Sequence, residues 1–146
     1  MATTTATITL SSSDIMDSAI SVSNTATLYT AGTNTGITET TGLGRKKVAT
    51  SSNTILLDHG LAGGIAQDVG ADKSAKVYIK NINDRGDGTK WVNILLATRE
   101  IGRLYGGDWM FIPWSGGDGN DIEFTTESTS GTDATETTLE YTCFYE

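Results

Sequence analysis

Side chains suited to catalysis are scarce in this chain of 146 residues. It has one histidine, His59, and one cysteine, Cys143. A zinc site or a Ser/His/Asp triad would both have to use His59, and nothing around it suggests either. Cys143 falls in the alternation Leu139, Tyr141, Cys143, Tyr145. That pattern reads as a small apolar side chain on the buried face of a strand rather than a nucleophile. Being alone, it can form no disulfide within the chain. Asp118, Asp121, Glu123 and Glu127 cluster closely enough to supply a glycosidase carboxylate pair. Glu123, however, alternates with Ile122 and Phe124, which puts it on the outer face of a strand. Asp118, Asn120 and Asp121, or Asp84 and Asp87, offer hard oxygens for calcium, yet neither stretch has EF-hand spacing. The glycines around residues 42–46 and 60–64 do not fit a phosphate loop. Arg85-Gly86-Asp87 spells an adhesion tripeptide, a match short enough to arise by chance. The expectation is a protein that is not an enzyme, with no metal and no cofactor.

Trp109 and Trp114 could stack on a sugar. In a strand they lie on opposite parities, so they cannot share a face without a bulge, and at least one is expected in the core.

The elements that would carry these residues are strands. Residues 2–10 read ATTTATITL, rich in β-branched threonine, and form a strand or extended arm. Ser11 to Asp14 are possible caps for a short helical turn at 14–17. Ile20, Val22, Ala26 and Leu28 alternate with serine and threonine, as in a half-buried strand. Residues 31–54 have no clean period and read as a long loop, mobile or ordered by a partner, with room for one short strand. Residues 55–57 form a short strand. Residues 76–82 and 91–97 read as a hairpin around the turn-forming residues 83–88. Further strands follow at 109–114, 122–125 and 139–145, and a polar loop at 126–136. Pro113, lacking a backbone donor, marks a strand end or an edge.

This pattern predicts an all-β, single-domain β-sandwich of about eight short strands, with a jelly roll as the favoured variant. An N-terminal arm would occupy residues 1–12 and the sandwich residues 13–146. Composition agrees: threonine, serine and glycine fill 54 of 146 positions, and charged residues make up only 19%. That excludes a coiled coil and a charged disordered tail. No run is long and apolar enough for a membrane span, and residues 1–10 lack the features of a secretory signal.

The net charge of −8 disfavours nucleic acid as a partner. All ten Lys and Arg lie within residues 45–103, while residues 104–146 hold nine acids and no base. A basic middle and an acidic end suit head-to-tail contacts, or simply solvated loops.

Three segments carry a likeness. Val77-Tyr78-Ile79-Lys80-Asn81 resembles a strand of small virion proteins of tailed, notably marine, bacteriophages. Gly102-Arg103-Leu104 with Gly107-Asp108-Trp109-Met110-Phe111-Ile112-Pro113-Trp114 resembles a second stretch of theirs. The closing Leu139-Glu140-Tyr141-Thr142-Cys143-Phe144-Tyr145-Glu146 is similar to their C-terminal strand. The resemblance implies a head decoration, or cement, protein that binds between capsomers. Its partners would be the major capsid protein and neighbouring copies of itself, and its place the virion, assembled in the host cytoplasm. A tail, fibre or receptor-binding component, carbohydrate-binding included, is the alternative. On either reading the contacts are expected at Thr3, Thr5, Ile8 and Leu10 of the arm, at Arg45, Lys46 and Lys47, and at Trp109 and Trp114.

Overall fold

The computed structural model describes residues 3–13, 19–29, 36–37, 39–48, 53–58, 75–86, 90–115, 119–126 and 136–145. The expected helical turn at 14–17, His59, the glycines at 60–64, Asp87, Asp118 and Glu127 lie outside these residues. The fold is all-β, with eleven strands among the described residues rather than about eight. The chain divides into two compact units, Met1–Thr38 and Glu39–Glu146, whereas the sequence pattern placed a break after residue 12.

The first unit is a hairpin of β1 (Thr4–Ser12) and β2 (Ile20–Tyr29), paired antiparallel. Threonine and alternating aliphatic residues favour the extended backbone. The register sets Ala6 opposite Ala26, Leu10 opposite Val22 and Ser12 opposite Ile20, so apolar side chains gather on one face. Hydroxyls gather on the other, where Thr7 and Thr25 are bonded at 2.9 Å and Thr9 and Ser23 at 3.3 Å. Beyond β2, Gly36 bridges Tyr29, and the Ile37 N–H donates to the Leu28 carbonyl at 3.0 Å. Gly36 has φ +102°, and a Cβ there would lie 2.7 Å from the Leu28 oxygen, so only glycine fits.

The second unit is a sandwich. Its strands are β3 (Glu39–Thr40), β4 (Gly44–Val48), β5 (Thr54–Leu57), β6 (Ala75–Asn81), β7 (Val92–Leu96), β8 (Arg99–Leu104), β9 (Trp109–Trp114), β10 (Ile122–Thr126) and β11 (Thr137–Tyr145). One sheet runs β5-β10-β7-β8. The other runs β3-β11-β6-β9, with β4 also pairing β11. Every pairing is antiparallel. The inner faces meet in one core: Leu56, Leu57, Val92, Ile94, Leu104, Ile122 and Phe124 from one sheet, and Ala75, Val77, Ile79, Trp114, Leu139, Cys143 and Tyr145 from the other. Burying a side chain such as Phe124 or Ile79 contributes roughly 1.5–3 kcal/mol. The buried Trp114 indole N–H is satisfied by the Asn120 carbonyl at 2.7 Å.

Two expectations need correction. Residues 76–82 and 91–97 are not a hairpin: β6 pairs β11 and β9, while β7 pairs β10 and β8. Their connection passes from one sheet to the other, because both strands have an apolar face that the sandwich buries from opposite sides. Residues 31–54 are not one long loop either, since they contain β3 and β4, both paired to β11. The strand absent from the sequence reading on the other sheet is β8. It follows β7 through a two-residue turn in which Ala97 and Thr98 have φ of 50° and 68°.

Asn81 closes one end of the sandwich. It is fully buried, and its Nδ2 donates to the carbonyls of Lys90 at 2.7 Å and Leu104 at 3.1 Å. Its Oδ1 accepts from the Asn83 backbone N–H and side-chain Nδ2, at 3.1 and 2.6 Å. Gly106 packs directly beneath this corner, where a Cβ would meet the Asp84 carbonyl oxygen at 2.4 Å.

Candidate functional site

Two surfaces contain Ile8, Leu10, Arg45 and Trp109 of the residues picked out in the sequence. The first is the apolar face of the hairpin. Ile8, Leu10, Ile20 and Val22 are 37%, 57%, 42% and 50% exposed, and the register puts them all on that face. Thr5 sits on the hydroxyl face opposite Thr27, and Thr3 precedes β1. Neither β1 nor β2 carries an Asp, Glu, Lys, Arg or His.

The second is the outer face of the sheet built on β11 and β6. Alternation turns Val77 and Ile79 inward and Lys76, Tyr78 and Lys80 outward. Register then aligns Arg45 of β4, Glu140 of β11, Lys80 of β6 and Trp109 of β9 in one row. Arg45 donates to Glu140 Oε2 through Nη2 at 2.9 Å and Nε at 3.1 Å. The next row is Thr142, Tyr78 and Phe111. Tyr78 and Trp109 rings lie 6.4 Å apart and tilted by 35°. Burial, and then the nearby Glu140 carboxylate, raise the Tyr78 pKa above its ordinary value, so the phenol stays neutral and can donate a hydrogen bond.

Trp109 is 50% exposed on this face, and Trp114 is 5% exposed in the core, as opposite parities in one strand require. Pro113 lies in the edge strand β9. Arg45, Lys46 and Lys47 lie on β4, and each has a partner within the chain. Lys47 pairs with Glu136, and Lys46 Nζ donates to the Ile55 carbonyl at 2.6 Å, tying β4 to β5 of the opposite sheet. Arg45 and Lys47 keep exposed side chains that acidic groups of a partner can still approach.

Other singled-out residues serve the fold. Arg85 pairs with Asp108 at 3.2 Å, and the Gly86 N–H donates to Asp84 Oδ1 at 2.9 Å, so the tripeptide arginine is held by its own chain. Glu123 is on the outer side of β10 and accepts from Asn53 Nδ2 at 3.2 Å. Cys143 is buried, and burial pushes its thiol up to about 12. Arg103 covers the Trp91 ring at 3.9 Å, with its Nε donating to Asn93 at 2.8 Å. Among the described residues no group of three or more His, Cys, Asp or Glu is placed to hold a metal ion.

The sequence reading missed Tyr78, Lys80, Phe111 and Glu140 as parts of one surface. The period-two pattern of β6 was its signal, but the neighbours β9 and β11 come from far along the chain. No protein-family model and no curated protein matches this chain.

Proposed function

We propose that this chain is a structural, non-enzymatic virion component of a tailed phage: a capsid decoration protein bound between capsomers, in contact with the major capsid protein and with neighbouring copies of itself. The observation that carries the reading is where the phage-like segments fall. Residues 77–81, 107–114 and 139–145 contribute β6, β9 and β11, which are adjacent strands of one sheet, while Gly102-Arg103-Leu104 lies on β8 of the other. Most of the likeness therefore falls on three adjacent strands rather than on scattered words.

The sandwich unit is read here as a jelly roll. Counting β3 and β4 as one interrupted edge strand, the first strand pairs the last, β11. β5 pairs β10, β6 pairs β9 and β7 pairs β8. Such nested pairing is what results when one long antiparallel ribbon folds over on itself into two sheets. The charge-free strands of the hairpin and the exposed cations of β4 supply surfaces for neighbouring subunits. Mass spectrometry of purified virions tests the role: the chain is expected in the particle in many copies, and its absence ends the proposal.

Trp109 favours a second reading. A half-exposed indole beside Tyr78, with Lys80 opposite it in register, has the makings of a sugar-stacking platform. A tail or receptor-binding component would then be present in few copies. Its binding to host cells or glycans would be lost on Trp109→Ala.

A further inference from the structure

We propose that the free edge of β1 is a homotypic interface, on which β1 of a second copy pairs antiparallel and joins two hairpins into one four-stranded sheet. This deepens the neighbouring-copy part of the reading above. It is tested on the purified chain alone, so its failure and that of the virion role are separable.

An exposed strand edge invites pairing, and proteins blunt it with charges, proline or very short strands. In the sandwich, β4 has Arg45, Lys46 and Lys47, and β9 has Pro113. β8 has Arg99, Glu100 and Arg103, and β5 is only four residues long. β1 is nine residues long, with neither a charge nor a proline, and it pairs β2 on one side only. The opposite edge of the hairpin is already started upon by Gly36 and Ile37 beyond Leu28 and Tyr29. β1 is therefore a long edge among the described residues that lacks these devices and, unlike the outer edge of β2, has no pairing begun on it.

A second copy is the occupant that fits this edge. Two-stranded hairpins are marginal in water, and three or more strands with an apolar face are needed for stability. Antiparallel self-pairing about a two-fold axis through a residue such as Ile8 pairs even positions with even ones. Ile8 and Leu10 of both copies then share a side with Ile20 and Val22 of both, and the Thr7 and Thr9 hydroxyls share the other. With no charge on either strand, two copies meet without repulsion along the edge, although the whole chain carries −8. A charged partner would find no opposite charge there to select it.

Sedimentation analysis of the full chain tests this. The wild type is expected to be a concentration-dependent dimer. Thr7→Lys/Thr9→Lys and Thr7→Glu/Thr9→Glu variants should each be monomeric, because like charges meet across the new pairing. Mixing the two variants in equal amounts should restore the dimer, which a merely misfolded hairpin would not do. A monomeric wild type at up to about 0.1 mM, a lysine variant that stays dimeric, or a mixture that stays monomeric would each overturn the proposal.

Discussion

Cys143 shows how far burial alone controls chemistry in this molecule. Its thiol is pushed up to about 12 because the thiolate would have to form inside the core. In the unfolded chain the same thiol ionises near 9.0. Between those values the folded state holds a proton that the unfolded state has lost. Stability is therefore fully present below pH 9 and declines as pH rises towards 12. Denaturant midpoints across that window should fall for the wild type and fall less steeply for Cys143→Ala. The thiol should also react slowly with disulfide reagents until the protein unfolds. The burial of Cys143 was legible in the sequence, as were the outward Glu123 and the opposed Trp109 and Trp114, because strand alternation is local. Asn81 was not legible. It occupies an inward position in β6, and only carbonyls brought from Lys90 and Leu104 explain a buried amide there. Asn81→Leu leaves those carbonyls and the Asn83 donors short of a partner. It should cost on the order of 3 kcal/mol in a chemical melt.

At the scale of elements, the strands that escaped the sequence reading are those whose cues are non-local or inverted. β4 carries three consecutive cations, which read as a loop, yet Arg45 stands opposite Glu140 and Lys46 reaches the Ile55 carbonyl. Its identity as a strand depends on β11, about a hundred residues away. β8 escaped for a different reason. Tight hairpin turns with positive φ at both central residues usually show Asn-Gly or Asp-Gly. Here the positions hold Ala97 and Thr98, and a β-branched residue is strained at φ 68°. Thr98→Gly should relieve that strain and stabilise the sandwich by about 1 kcal/mol, read as a rise in Tm. The same substitution at the exposed Arg99 or Glu100, which have no such φ, should give no gain. The false hairpin at 76–97 has the converse cause. Turn-forming residues report that the chain reverses, not which sheet receives it.

For the molecule as a whole, the division at residue 38 separates two kinds of surface. Every member of the main core cluster belongs to Glu39–Glu146, where both sheets bury their inner faces. The hairpin unit instead leaves Ile8, Leu10, Ile20 and Val22 in solvent. A chain of residues 39–146 should therefore fold on its own, with a single cooperative unfolding transition and a Tm within a few degrees of the full chain, since no side chain of that cluster is removed. If the hairpin joins copies and the sandwich face of Trp109, Tyr78 and Lys80 meets another component of a particle, the truncated chain should be monomeric in sedimentation yet keep residual particle binding. Trp109→Ala in the full chain should do the reverse, weakening particle binding while leaving the dimer intact. Loss of cooperative folding in the 39–146 chain would show that the hairpin is part of the core, contrary to a division at residue 38. Equal losses of self-association in both variants would place the two surfaces in one interface.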